Sequence, residues 1–213
     1  GIGSHTLKIH GKKKLQSGVT YTVTSDYLEA GAFAIAALVT KGKIHIEGVE
    51  KEHLVSFLAA LKRMGGIYMW NGKTLIVDGS ASNLLPTRIQ TNIFPGFPTD
   101  LQAPISVALT QASGVSRVFE VLFEGRMSHL FELEKMGARI EILNSHEALI
   151  LGPTPLRGRQ VASNDIRAGA TMVLAGLCAT GTTVVTDIQY IERGYENFEE
   201  KLKKLGAKIE KIS

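Results

Sequence analysis

Three arginines and two aspartates stand near predicted helix starts in the middle and last parts of the chain: Asp100, Arg126, Asp165, Arg167 and Arg193. A guanidinium group binds phosphate or carboxylate through two parallel hydrogen bonds, and helix N-termini attract anions. An aspartate close to a hydroxyl group can take its proton. Taken singly, each aspartate also fits a helix N-cap and each arginine a surface ion pair. Together the five residues predict a site for an anionic ligand.

A sequence repeat gives the reason why these residues should meet. The pattern Leu-x-x-Met/Leu-Gly occurs at residues 61–65, 133–137 and 202–206. Its glycine recurs about every 70 residues, which is long for a solenoid repeat and fits a supersecondary unit. Equivalent ends of repeated units lie close together when the units pack around one core. We therefore expect the shared pattern to serve folding, and the arginines and aspartates that break the repeat to serve function.

The elements of each unit follow from capping residues and apolar periodicity. Asp26, Asp100 and Asp165 precede apolar runs, as N-caps do, and short alternating segments between the helices predict strands. The chain thus predicts an α/β (α+β) fold in which helices lie inside and sheets outside. We expect one domain over 1–213 with three β-α-β-α-β-β units, of which the third has short or missing last strands. The unit boundaries are about 6–84, 85–156 and 157–213.

Composition excludes several other classes of protein. The 213 residues are 44% hydrophobic and 21% charged, typical of a globular protein, and no apolar stretch is long enough to span a membrane. Cys178 alone favours a reducing cytoplasm, and its apolar helical run predicts a buried packing residue rather than a nucleophile. The six histidines are scattered without metal-ligand spacing. A net charge of +4 without a nucleic-acid motif predicts a solvated surface rather than a nucleic-acid interface.

Four separated motifs stand out along the chain: GFPTDLQ at 96–102, EGR at 124–126 followed by ELEKMGA at 132–138, DIRA at 165–168, and IERGYE at 191–196. They resemble the enolpyruvyl transferase family, in particular the UDP-N-acetylglucosamine 1-carboxyvinyltransferases. The likeness runs in unbroken order from about residue 7 to residue 212. Family members commonly have asparagine where this chain has Gly125, which would loosen the turn that holds Arg126.

The resemblance implies a reaction and a role for each site residue. The family transfers the enolpyruvyl group of phosphoenolpyruvate to the 3-hydroxyl of UDP-N-acetylglucosamine, the first committed step of peptidoglycan synthesis. It uses no cofactor or metal, and it serves cell-wall biogenesis, cell shape, the cell cycle and cell division. Asp100 matches the catalytic aspartate. The implied substrate-binding residues are Leu122 for the UDP-sugar, Arg193 for phosphoenolpyruvate, and Asp165, Arg126 and Arg167 in the same cleft. Asp165 either orients Arg167 or caps its helix.

The resemblance covers only the C-terminal half of that family. Its members have two similar domains that close on the substrates, and the catalytic-cysteine loop belongs to the N-terminal domain, which this chain does not match. The family's opening strand also crosses over to complete the C-terminal domain. The resemblance thus implies a partner, the missing N-terminal domain, and an isolated chain without activity. Two alternatives remain: a domain of a shikimate-3-phosphate enolpyruvyl transferase, and a non-catalytic module of this fold that binds anions or nucleic acid.

Overall fold

The computed structural model describes residues 6–212, which form seven α-helices, nine strands and two short 3-10 turns. The helices are α1 (Tyr27–Thr40), α2 (Val55–Arg63), α3 (Gln102–Thr110), α4 (Ser128–Lys135), α5 (Ile166–Cys178), α6 (Gln189–Glu192) and α7 (Phe198–Lys204). The strands are β1 (Lys43–Ile46), β2 (Ile67–Asn71), β3 (Thr74–Asp78), β4 (Arg88–Gln90), β5 (Gly114–Phe119), β6 (Arg139–Asn144), β7 (Glu147–Gly152), β8 (Gln160–Ala162) and β9 (Val184–Thr186).

The three helices that open the units form the centre of the core. α1, α3 and α5 contact one another pairwise, and every residue of α3 is buried. Small residues dominate α1 and α5, which allows close approach between the helices. A helix that is apolar all round has to be buried on every side. Sheets cover these helices from outside, so the predicted α/β fold with helices inside and sheets outside is confirmed.

The second unit contains the complete β-α-β-α-β-β arrangement. Its sheet has the order β4-β5-β7-β6, in which β4 runs parallel to β5 and β7 runs antiparallel to both of its neighbours. The parallel pair is connected through α3, and the antiparallel pair β6 and β7 forms a hairpin. This sheet shows which strands a complete unit has and in which order they lie.

The first unit differs from the prediction, because its opening strand is not formed. Its sheet has the order β1-β3-β2, and residues 6–25 contain neither helix nor strand. Val19, Tyr21 and Val23 alternate as in a strand, but their side chains are largely exposed. Alternation indicates which residues share a face; a strand forms only where its backbone finds a partner.

The third unit has two strands in the described part of the chain, as expected for a unit whose last strands are short or missing. β8 and β9 form a parallel pair, and residues 207–212 are not in a strand. A groove of about 1950 Å³ lies beside this pair. It is lined by β1, α5, β9, the two short helices α6 and α7, and residues 205–212.

The repeated glycine ends the second helix of each unit in the same way. Gly65, Gly137 and Gly206 have φ angles of +80°, +97° and +97°. The residue after each glycine donates its N–H to the carbonyl five residues back: Gly66 to Leu61, Ala138 to Leu133, and Ala207 to Leu202. This is the hydrogen bond of the Schellman C-cap, for which glycine is favoured at the left-handed position. The shared pattern is therefore a structural cap.

Candidate active site

Asp100 joins two of the predicted arginines. It lies in the 3-10 turn Thr99–Leu101 directly before α3. Its Oδ1 accepts a hydrogen bond from Arg167 Nε and lies 3.4 Å from Arg126 Nη1. The Asp100 carboxylate is half-buried and makes no capping hydrogen bond to α3. Asp100 is therefore not the N-cap of α3. Its carboxylate bridges two guanidinium groups instead.

Arg126 lies in the turn between β5 and α4, and three contacts hold its guanidinium group. Nη1 donates to Thr99 Oγ1 at 2.8 Å, in addition to the Asp100 contact. The guanidinium carbon lies 3.8 Å from the centre of the Phe123 ring, a cation–π distance. Burial lowers the pKa of Arg126, and the nearby charge of Arg167 lowers it further. Two cations share the Asp100 carboxylate here, and the charges of Glu120 and Asp165 also act on Arg126.

Asp165 caps the helix that carries Arg167. Its Oδ1 accepts hydrogen bonds from the backbone N–H groups of Arg167 at 2.7 Å and Ala168 at 3.0 Å. The side chain of Arg167 points instead to Asp100. Asp165 could either orient the Arg167 side chain or cap its helix, and its contacts are those of the cap. It affects Arg167 only through the backbone of α5.

Arg193 is not brought into contact with this cluster. It follows α6, its side chain is exposed, and within residues 6–212 it forms no salt bridge. Its loop packs against the first turn of α5, since a Cβ atom on Gly194 would lie 2.3 Å from Ile166. The buried Tyr195 is close enough for Asp100 and Arg167 to act on its pKa, which burial raises above its ordinary value. Arg193 therefore lies near the cluster in the fold while pointing to solvent.

Leu122 lies in the same turn as Arg126 and is half-buried. Its backbone N–H donates to Glu120 Oε1 at 3.0 Å. That N–H is therefore engaged within the protein, whereas the side chain remains partly accessible for an apolar contact.

Glu120 is the residue of this region that sequence reasoning missed. Its side chain is fully buried and accepts hydrogen bonds from Thr91 Oγ1 and Thr99 Oγ1, both at 2.8 Å. A signal was present: Ser116, Val118 and Glu120 alternate on the buried face of β5 and its extension. A charged residue on the buried face of a strand needs hydrogen-bond partners and marks a constrained position.

Among the residues that the structure describes, no group of three or more His, Cys, Asp or Glu side chains could hold a metal ion. In the same part of the chain, the helices are too short or too polar to cross a bilayer.

Comparison with known proteins identifies the family. The family model described as EPSP synthase (3-phosphoshikimate 1-carboxyvinyltransferase) matches residues 2–202. UDP-N-acetylglucosamine 1-carboxyvinyltransferase 2 of Clostridium tetani is 43% identical over 212 residues, 100% of this chain and 50% of that protein. UDP-N-acetylglucosamine 1-carboxyvinyltransferase 1 of Clostridium acetobutylicum is 45% identical over 211 residues, 99% of this chain and 50% of that protein. The chain thus spans about half the length of the curated relatives it matches.

Solved structures show the same fold. The enolpyruvyl transferase NikO from Streptomyces tendae superposes with a TM-score of 0.81 at 24% identity, over 89% of this chain and 45% of that one. EPSP synthase from Acinetobacter baumannii gives a TM-score of 0.69 at 18% identity, over 90% of this chain and 45% of that one. Because the family model covers most of the sequence, the chain belongs to the EPSP synthase (3-phosphoshikimate 1-carboxyvinyltransferase) family, and its resemblance to UDP-N-acetylglucosamine 1-carboxyvinyltransferases is confirmed.

Proposed function

We propose that this chain is the C-terminal domain of an enzyme that transfers the enolpyruvyl group of phosphoenolpyruvate to the 3-hydroxyl of UDP-N-acetylglucosamine. The observation that carries the proposal is the Asp100 carboxylate held between Arg126 and Arg167. Relatives with 43% and 45% identity are 1-carboxyvinyltransferases of that sugar nucleotide, which favours this substrate over shikimate 3-phosphate. The reaction belongs to peptidoglycan synthesis, and we infer a cytoplasmic location, which a single cysteine suits.

Asp100 acts on the hydroxyl that attacks. A hydroxyl group is a weak nucleophile, so a carboxylate within hydrogen-bond reach has to take or orient its proton, an effect typically worth about 10²- to 10⁴-fold in rate. Within the described residues, both arginine contacts of Asp100 use Oδ1. Oδ2 is thereby left to face the hydroxyl, while the arginines hold the carboxylate in place.

The arginines bind the anionic groups of phosphoenolpyruvate. Guanidinium forks match the geometry of phosphate and carboxylate, and within the described residues the hydrogen bonds to Asp100 and Thr99 use only Nη1 of Arg126 and Nε of Arg167. Arg193, from the loop beside α5, supplies a further contact once the second domain closes over the cleft. Leu122 contacts the UDP-sugar through its apolar side chain.

The partner of this chain is the N-terminal domain of the same enzyme. The third unit supports this, because in the described part of the chain its sheet has only the two strands that correspond to β4 and β5 of the second unit. β9 corresponds to β5, and residues 208–212 follow the glycine cap as β6 does; both line the groove of about 1950 Å³. In the second unit β7 lies between these two positions. A strand from the partner domain, antiparallel to β9, would occupy the equivalent place.

Reconstitution tests the proposal. Phosphate release should be absent with the chain alone, should appear when the matching N-terminal half and both substrates are added, and should fall by about 10²- to 10⁴-fold in Asp100→Ala. Glu147→Gln, in the sheet and outside the cluster, is the control that should retain turnover. Turnover by the chain alone, or full activity of Asp100→Ala in the mixture, would contradict the proposal. Turnover with shikimate 3-phosphate in place of the UDP-sugar would support the rival substrate.

A further inference from the structure

Glu120 carries a buried carboxylate to which the proposed reaction assigns no role. Its two oxygens accept three hydrogen bonds: Thr91 Oγ1 and the Leu122 N–H on Oε1, and Thr99 Oγ1 on Oε2. The side chain is 0% exposed, and no lysine, arginine or histidine of the described residues forms an ion pair with it. A carboxylate taken out of water without a direct counter-ion is costly. The Thr99 hydroxyl connects the Glu120 carboxylate to a positive charge, that of Arg126.

The Thr99 hydroxyl connects this carboxylate to Arg126. A hydroxyl has one hydrogen to donate and lone pairs with which it accepts. Because an ionised carboxylate only accepts, the Thr99 hydrogen has to point at Glu120 Oε2. The Thr99 oxygen is then free to accept from Arg126 Nη1 at 2.8 Å. Glu120 therefore fixes the direction of the hydroxyl, and the hydroxyl fixes one nitrogen of the guanidinium group.

We propose that Glu120, acting through Thr99, is a positioning residue for Arg126. The inference rests on the proposed function, in which Arg126 binds an anionic group of phosphoenolpyruvate. The Glu120–Thr99–Arg126 relay holds Nη1 between Thr99 and Asp100, and the hydrogen bonds within the described residues leave Nε and Nη2 for an anionic group. Without it, Arg126 would keep its salt bridge to Asp100 and lose its fixed orientation.

Four variants separate this role from a general structural one. Glu120→Gln replaces the acceptor by an amide whose NH₂ can donate to Thr99, which leaves the hydroxyl hydrogen without its acceptor and the direction of the hydroxyl no longer fixed. Thr99→Val removes the hydroxyl at constant shape, and Thr99→Ser retains it. Glu147→Gln makes the same chemical change at a glutamate that pairs with Arg117, outside the cluster.

NMR of the chain labelled with ¹⁵N-arginine measures the relay directly, through rotation about the Nε–Cζ bond of each guanidinium group; Arg126→Lys assigns the signal. We expect Arg126 to rotate at least tenfold faster in Thr99→Val and Glu120→Gln than in the unmodified chain, Thr99→Ser and Glu147→Gln. Arg167, which Asp100 holds independently, should be unchanged in Thr99→Val. Unchanged rotation of Arg126 in folded Thr99→Val would overturn the proposal. Because Thr99 is only half-buried, we expect Thr99→Val to fold. It therefore tests the relay even where Glu120→Gln does not fold.

Kinetics of the reconstituted enzyme then connect the relay to the reaction. Thr99→Val should raise the KM for phosphoenolpyruvate about tenfold more than the KM for the UDP-sugar, and Thr99→Ser should restore it. Equal changes in both KM values would contradict the role of the relay in binding phosphoenolpyruvate. Absence of turnover in the unmodified mixture would contradict the proposed function instead, and the rotation of Arg126 would still report on the relay.

Discussion

His129 in α4 shows how a single buried residue ties stability to pH. It is 2% exposed, and its Nε2 lies 3.3 Å from the hydroxyl of Ser106. Burial lowers the pKa of His129 from 6.5 to about 4, against a smaller opposite effect of the Asp165 charge. The folded protein therefore holds this side chain neutral at pH values where the unfolded chain would already protonate it.

The stability that depends on His129 should disappear on acidification. Because its pKa is lower in the folded state, its contribution is fully present above pH 6.5 and is lost as the pH falls toward 4, by about 3 kcal/mol in total. Urea unfolding between pH 7 and 4.5 measures this. The free energy of unfolding should fall more steeply for the unmodified chain than for His129→Gln, which cannot protonate. Parallel pH curves for the two proteins would show that His129 does not contribute.

Cys178 should react slowly with alkylating agents. Burial raises the pKa of its thiol from 9.0 to about 11, and its Sγ donates to the Ala175 carbonyl. A shift of that size lowers the thiolate fraction at pH 8 by about 100-fold, and the thiolate is the reactive form. Iodoacetamide labelling followed by mass spectrometry should therefore be about 100-fold slower in the folded chain than in urea. Labelling at the same rate in both would show that its position in the fold does not protect the Cys178 thiol.

Among the elements, α5 depends most clearly on its cap. The Asp165 carboxylate satisfies two backbone N–H groups at the end of the helix that presents Arg167 to Asp100. Such a cap typically stabilises a protein by about 1 kcal/mol, and asparagine replaces aspartate well. The cap therefore links the stability of α5 to the geometry of the site.

Two substitutions at Asp165 distinguish a cap from a substrate ligand. Asp165→Ala should lower the free energy of unfolding by about 1 kcal/mol, whereas Asp165→Asn should lower it by only a few tenths. Thermal unfolding followed by circular dichroism measures both. If the asparagine variant is as stable as the original chain but loses activity in the reconstituted enzyme, Asp165 acts on substrate beyond its role as a cap.

How far the sequence predicts each element depends on whether the deciding interaction is local. The glycine caps and the aspartate at α5 could be predicted because their partners lie within a few residues. α1 ends at Thr40, where Lys41 rather than a glycine takes the left-handed conformation, with a φ angle of +57°. The prediction of an opening strand in the first unit was wrong, because an alternating sequence contains no information about which strand it would pair with.

The site follows the same rule. Repeat equivalence correctly predicted that Asp100, Arg126 and Arg167 would meet, since equivalent helix starts converge. Arg193 was expected beside them, yet the structure leaves its side chain exposed. Glu120 was missed because its partners Thr91 and Thr99 come from a loop about 20 to 30 positions earlier, and only tertiary structure brings them to it.

On the scale of the whole molecule, the three units differ in how complete their sheets are. The second unit has four paired strands, while the third has two short strands beside a groove of about 1950 Å³. Regions with fewer buried contacts and fewer paired strands open at lower free energy than the global transition. Unfolding should therefore begin in the third unit.

Hydrogen exchange should reveal this order. Amides of β8, β9 and α7 should exchange at least tenfold faster than those of β5 and β7, and the addition of the matching N-terminal half should slow the first group selectively. Exchange measured by mass spectrometry with and without that half checks both expectations. Uniform protection across the three units would mean that the two-stranded sheet is stable without further strands.

The two incomplete sheets also have a consequence for handling the protein. β1 and β9 each pair on one side in the described structure, so each presents a second row of backbone N–H and C=O groups. Such rows are templates on which another copy can add a strand, and natural proteins normally cover or charge them. The separate chain should therefore aggregate more as its concentration rises, and the proposed N-terminal half, by covering these edges, would also protect it from aggregation.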